Sequence, residues 1–254
     1  MACGGCGALD EVLCRTCATA VRGGGLPAAL AGTTVRGAPP TWAATAYEGA
    51  VQRAVVAWKD RDRTDLSRWL GPALASSVLA ALEQTEHLVP ELLAPASSLS
   101  REASGPGRPA SVLLVPVPSR RAAVARRGRD AVADLAAAAA RGLRLQGLPV
   151  VAAPVLRPAR RVRDQSGLDA SGRAGNLRRA LEVGPAGPRL EGRVVVLVDD
   201  VVTTGATLAE AARVLREHAC PAVAAAVVAA AQRRGGGVAS DEGDPGLVMG
   251  GGAD

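Results

Sequence analysis

The sequence predicts an α/β fold, a parallel sheet flanked by helices, with a small cysteine-bound module and a helical segment on its N-terminal side. Three observations lead there. Two apolar runs, Val112-Leu113-Leu114-Val115-Pro116-Val117 and Val194-Val195-Val196-Leu197-Val198, read as fully buried strands. Helical periodicity lies between and after them, and strands alternating with helices build right-handed βαβ units on a sheet covered on both faces. Four of the five cysteines fall within the first 20 residues as two Cys-x-x-Cys pairs.

The 254 residues permit one sizeable domain plus an appendage, and 48% apolar with 21% charged residues excludes disorder, collagen or coiled coil as a description of the whole. Aromatic residues make up only 2%, with no Phe, so the core must be built from Ala, Val and Leu. The same scarcity argues against a base-stacking platform for single-stranded nucleic acid.

Along the chain, residues 1–21 form the cysteine module. Cys3, Cys6, Cys14 and Cys17 can surround one tetrahedral Zn²⁺, and four protein ligands leave no open position, so such a metal holds structure. A redox dithiol or an iron–sulfur site is the competing reading. Residues 22–40 are a Gly/Pro/Ala linker. Residues 41–94 are expected to be helical, from Tyr47, Val51, Ala54, Val55 and Trp58 and then Leu66, Leu70, Leu74 and Val78 at helical spacing, with Pro72 near the start of the second helix. A Ser/Gly/Pro-rich linker covers 95–110.

The main domain is expected over 111–232. The strand over 112–117 ends at Pro118, an Ala-rich helix follows over 128–145, and a short strand lies near 150–155. A basic, turn-rich stretch reaches Asn176, after which come a strand at 194–198, a helix over 206–217 and a strand over 222–230. Residues 233–254 read as a disordered tail. The longest apolar run, 222–231, is about half of the roughly 18 residues that suggest a membrane span. The first residues lack a basic region followed by an apolar stretch, so the expected location is the cytoplasm.

Charge is concentrated. Residues 101–180 carry 16 basic and 5 acidic side chains, an excess of 11, whereas both flanking segments carry more acid than base. Lys59 is the single lysine. Codon bias explains Arg over Lys but not the clustering, and guanidinium forks in a focused basic field suit phosphate oxygens.

The most informative stretch is Val198-Asp199-Asp200-Val201-Val202-Thr203-Thr204-Gly205-Ala206-Thr207. Ligands of open parallel sheets bind beyond the carboxyl ends of the strands. Two carboxylates there can accept hydrogen bonds from the vicinal hydroxyls of a ribose, while hydroxyl side chains and amides at the following helix start can surround a phosphate. An ordinary N-capped turn is the bland alternative, but it leaves the mutual repulsion of the acids unexplained. No Gly-Lys-Ser/Thr follows, which excludes a Walker loop. His87 and His218 are isolated, so hydrolysis by a triad is not expected.

This stretch resembles the 5-phosphoribosyl-1-pyrophosphate (PRPP) motif of type I phosphoribosyltransferases. The resemblance implies that Asp199 and Asp200 hold the ribose hydroxyls, that Thr203, Thr204, Gly205, Ala206 and Thr207 cradle the 5′-phosphate, and that Mg²⁺ accompanies the pyrophosphate. The paired cysteines, Tyr47-Glu48-Gly49 leading to Trp58-Lys59, Val115-Pro116-Val117-Pro118 leading to Arg127-Gly128, Asp164-Gln165-Ser166-x-Leu168 and Arg173-x-x-Asn176 together resemble the ComF family. Members of that family resemble phosphoribosyltransferases with a zinc module, some linked to DNA uptake in competent bacteria. This chain has Arg129-Asp130-Ala131 where the family usually has Phe-Asn-Gln.

Arg120 and Arg121 become candidates for a pyrophosphate loop, and Arg157 to Arg163, Gln165, Arg173 and Asn176 for a loop closing over substrate. The expected function is Mg²⁺-dependent phosphoribosyl transfer from PRPP to an unknown acceptor. Its alternatives are a non-catalytic protein of DNA uptake or repair that contacts single-stranded DNA through the zinc module and the arginines of 101–180, and a regulator that binds PRPP or a nucleotide without turnover.

Overall fold

The computed structural model describes residues 1–23, 28–29, 37–85, 112–159, 180–185, 190 and 193–231. The elements are α1 (Arg15–Arg22), β1 (Ala28–Ala29), β2 (Thr41–Ala46), α2 (Gly49–Asp60), a 3₁₀ turn (Thr64–Leu66), α3 (Ser67–Gln84), β3 (Val112–Pro116), α4 (Arg121–Arg127), α5 (Ala131–Leu145), β4 (Val150–Ala152), β5 (Leu156–Pro158), β6 (Leu181–Val183), β7 (Val194–Val202), α6 (Ala206–Glu217) and β8 (Ala222–Ala230). The main sheet has the order β1-β2-β8-β7-β3-β4. Its last five strands are mutually parallel and β1 pairs antiparallel at the edge. β5 and β6 form a separate antiparallel pair.

Two cores cover the two faces. Val112, Leu114, Val196 and Val198 pack with α1, α2, α3 and α5. Leu113, Val115, Val195 and Leu197 pack with α6 and with Leu156 and Leu181 of the small pair. This alternation is the period of a strand buried on both faces. Small residues bring α3 and α5 close, since a Cβ on Gly71 would stand 3.1 Å from the Ala138 Cβ. Trp58 is fully buried, and its indole N–H donates to Ser67 Oγ at 2.9 Å, which satisfies its one polar group.

Several expectations change. The segment over 41–94 opens with a strand, not a helix: Thr41–Ala46 pairs in parallel with β8 over Thr41↔Ala225 to Ala46↔Ala230. Ala43-Ala44 gives that strand no contrast between its faces, so its apolar run is ambiguous in period. Part of the expected 22–40 linker, Ala28–Ala29, pairs with it. Pro72 lies inside α3, which starts five residues earlier at Ser67. The ring is accommodated on an exposed position of the helix. The helix expected over 128–145 is α5, which starts three residues later at Ala131, and it is preceded by a short helix the sequence reading did not expect, α4, which ends at Gly128 with φ +70. Asp130 then caps α5, its Oδ1 accepting from the Val132 amide at 3.1 Å.

β7 runs to Val202 rather than stopping at Val198, so the acidic pair belongs to the strand. Arg157 lies in β5, ion-paired at 3.0 Å with Glu182 across the strand pair, and not in a loop. The remaining candidates of that loop, residues 160–176, lie outside the described residues, as do His87, the 95–110 linker and the 233–254 tail. Among the described residues, no helix is long and apolar enough to cross a membrane.

The cysteine module is built into the larger core. Cys3, Leu13, Cys17 and Val21 share it with α2 and α3. Arg53 donates to the Gly5 carbonyl, and Arg63, paired with Asp65 at 3.0 Å, donates to the Ala2 carbonyl at 2.8 Å.

Candidate functional site

The site begins where β3 leaves the sheet. Its last register pair with β7 is Pro116↔Val198, closed by the Val117 amide donating to the Val198 carbonyl at 2.9 Å. From Asp199 onward β7 keeps only β8 as a neighbour, with Asp199↔Val227 the next pair. The strand's alternation puts Asp199 and Asp200 on opposite faces, yet both border the cleft of about 450 Å³ that opens beside them. Thr203, Thr207 and Arg120 line the same cleft.

The Asp pair is electrostatically unequal. Asp200 is 3% exposed. Lys59 Nζ, from the end of α2, donates to its Oδ1 at 2.8 Å and lies 2.6 Å from its Oδ2. Burial alone would lower the Lys59 ammonium, but the adjacent Asp200 carboxylate outweighs it and holds the group above its usual value. Among the described residues, no such cation is in contact with Asp199. Burial, and then the charge of Asp200, push its carboxyl well above the ordinary carboxylate range. Its Oδ1 accepts the Asp200 amide at 2.8 Å.

Thr203 and Thr204 are exposed on the turn that follows, and Gly205 caps α6 at φ +76, a conformation that suits glycine. Thr204 Oγ1 accepts from the Ala206 amide at 3.3 Å. Hydroxyls and a helix start are thus collected within a few residues of the carboxylates. Thr204, Gly205 and Ala206 belong to this turn without lining the cleft. Arg120 is exposed at the cleft, whereas Arg121 turns away and donates to the Pro158 carbonyl at 3.1 Å.

Three residues without an assigned role in the sequence reading matter here. Lys59 carried a signal: in a chain that uses Arg at every other basic position, one compact ammonium is retained, and it meets the buried carboxylate. Asp130, besides capping α5, accepts from Ser119 N at 3.2 Å and Ser119 Oγ at 3.0 Å, which pins the turn carrying Arg120. Arg127 also lines the cleft. Lys59→Met should cost about 3–5 kcal/mol of stability, because it strands Asp200 as a buried bare carboxylate. Denaturant titration checks this, and Lys59→Met/Asp200→Asn should recover most of the loss.

The four predicted cysteine ligands do converge. Their sulfurs all lie within 4.8 Å of one another, so the cluster could hold a zinc ion. Zinc with sulfur at about 2.3 Å requires tetrahedron edges near 3.8 Å; Cys6 Sγ and Cys14 Sγ are 3.6 Å apart. Burial opposes ionisation of Cys3, but amide donors from Cys14, Cys6 and Gly5 bring it down to about 6, while burial and the neighbouring thiols raise Cys17. Cys220 stands apart, 1% exposed, its thiol donating to the Leu190 carbonyl at 3.0 Å.

The family model described as the phosphoribosyl transferase domain matches residues 124–244, just under half of the chain. With the five parallel strands and flanking helices, this defines a type I phosphoribosyltransferase-like domain. No curated protein matches the chain. Lys59 and the cysteine cluster lie outside the matched residues.

Proposed function

We propose that this protein binds PRPP in the cleft beside β3 and β7 and transfers its phosphoribosyl group, as a ComF-like cytoplasmic phosphoribosyltransferase with a structural zinc. The observation that carries the reading is the meeting of Asp199, Asp200, Thr203, Thr207 and Arg120 in one cleft at the carboxyl ends of parallel strands.

In this reading the Thr203–Thr207 turn receives the 5′-phosphate against the start of α6. Asp199 and Asp200 accept hydrogen bonds from the ribose hydroxyls, and Arg120 faces the pyrophosphate. The bond from the anomeric carbon to the pyrophosphate oxygen breaks, the electron pair leaves with pyrophosphate, and a nucleophilic acceptor forms the new bond to that carbon. Holding donor and acceptor in one cleft supplies the orientation.

Carboxylates at the cleft are hard oxygen donors of the type Mg²⁺ takes alongside substrate phosphates. When bound, the ion neutralises charge developing on the leaving pyrophosphate. Lys59 must share or yield Asp200 when the ribose arrives, which makes the end of α2 part of the binding event.

Calorimetry with PRPP, followed by a pyrophosphate-release assay over a panel of nucleobases and amines, tests the proposal. Micromolar PRPP binding with acceptor-dependent pyrophosphate release is expected. Absence of PRPP binding with Mg²⁺ present overturns it, and binding without release across the panel assigns a PRPP-sensing role in place of transfer.

A further inference from the structure

Arg127 ends α4 with its side chain only 4% exposed. Nη1 donates to the Lys59 carbonyl at 2.8 Å and lies 3.9 Å from Asp60 Oδ1. Nε and Nη2 are buried without a hydrogen-bond partner among the described residues. A guanidinium does not lose its proton in proteins, so these N–H groups are standing donors in a cationic group. Leaving them unmet opposes folding, and a buried charge of that type calls for an anion.

The free edge has a definite chemistry. Nε and Nη2 are the side-on fork through which arginine takes both oxygens of a carboxylate or two oxygens of a phosphate. The same chain shows this pairing on α6, where Arg213 Nε and Nη2 each lie 2.8 Å from an oxygen of Glu210. At Arg127 the counterpart is missing, and the residue borders the cleft that contains the carboxylate pair.

We propose that Nε and Nη2 of Arg127 form an oxyanion subsite on the α2 side of this cleft, separate from the Thr203–Thr207 turn and from Arg120. The proposal deepens the PRPP reading and rests on it for the identity of the cleft. Both nitrogens are screened from solvent, so the incoming anion meets them through a small rotation of the guanidinium. The oxyanion comes either from the pyrophosphate of the donor or from a carboxylate on the acceptor.

Wild type, Arg127→Met and Arg127→Lys are compared by thermal unfolding and by calorimetry in metal-free buffer, with inorganic pyrophosphate, benzoate and ribose 5-phosphate as separate probes. Arg127→Met should unfold at the wild-type temperature or above it, since removing two unmet buried donors offsets the loss of the Nη1 bond to the Lys59 carbonyl. It should lose at least ten-fold in affinity for pyrophosphate or for benzoate while binding ribose 5-phosphate as wild type does. Arg127→Lys, which keeps the charge without the fork, should not restore that affinity.

Loss for pyrophosphate assigns the subsite to the donor, and loss for benzoate assigns it to the acceptor. Unchanged affinity for both probes, or no wild-type binding of either, overturns the subsite while ribose 5-phosphate and PRPP binding leave the PRPP reading standing. Arg127-dependent pyrophosphate or benzoate binding in a protein that takes neither ribose 5-phosphate nor PRPP keeps the subsite and overturns the PRPP reading.

Discussion

Asp199→Asn is expected to stabilise the unliganded protein above neutral pH and to weaken its PRPP binding. The Asp199 carboxyl is held well above its ordinary value of 3.8 by burial and by the charge of Asp200. A carboxyl raised in the folded state favours folding fully below its unfolded value, and that contribution is lost as pH climbs through the raised folded value. Wild type should therefore lose stability over the window that starts near pH 4 and extends to the raised value. The amide cannot ionise, so the variant's unfolding midpoint should exceed that of wild type at pH 8, with the difference closing towards pH 4.

Function should respond in the opposite direction. A hydrogen bond to a charged group contributes about 1.5–3 kcal/mol, which is roughly ten- to hundred-fold in PRPP affinity, and transfer should fall below detection when Asp199→Asn is combined with Asp200→Asn. Asp200→Asn alone should destabilise by less than Lys59→Met, because Lys59 keeps 32% of its side-chain surface exposed and can rehydrate once unpaired. Calorimetry and pyrophosphate release at matched pH, read beside the melting curves, separate the two effects. An Asp199→Asn protein that is no more stable than wild type at pH 8 contradicts the burial argument, and one that retains wild-type PRPP affinity removes Asp199 from the site.

Removing the metal expected between Cys3, Cys6, Cys14 and Cys17 should have the second large effect. A structural zinc site contributes about 10–16 kcal/mol of apparent binding free energy at neutral pH, comparable to the whole stability of a typical domain, about 5–15 kcal/mol. The loss should not stay local, because Cys3, Leu13, Cys17 and Val21 pack in the core that holds α2 and α3. α2 carries both Arg53, bound to the Gly5 carbonyl, and Lys59, bound to Asp200. A chelator should release one zinc per chain, lower the unfolding midpoint by more than 10 °C, and weaken PRPP binding through the displaced end of α2.

Gly5→Ala offers a milder probe of the same module. A Cβ there would stand 2.6 Å from Cys17 Sγ, so one thiolate must move out of the cluster. Metal content by atomic absorption and midpoint should fall together in this variant. Full metal occupancy with an unchanged midpoint would show that the cluster is looser than the packing requires.

The buried strands, the helix over 206–217, the strand over 222–230, the acidic pair with its hydroxyl turn, and the two cysteine pairs were legible in the residues. Each is written in a local period or a short spacing: an uninterrupted short apolar run for a doubly covered strand, and two-residue gaps for convergent thiols. β2 was not legible, because its alanines show no face and its strand character comes from lying beside β8. The short helix α4 before Gly128 and the start of α5 at its Asp130 cap, rather than at Gly128, were present in the residue types but hidden under a continuous Ala-rich pattern.

What no local pattern contained is which side chains face the acids. Lys59 and Asp200 are separated by 141 positions, and they meet because β2 and β7 both adjoin β8, which brings the end of α2 over the end of β7. Arg127 joins them because α4 follows the strand that borders β7 on the other side. Strand period and ligand spacing are properties of neighbouring residues. The pairing of one carboxylate, the raised state of the other and the unmet edge of a buried guanidinium arise from strand order and burial, which long-range packing alone sets.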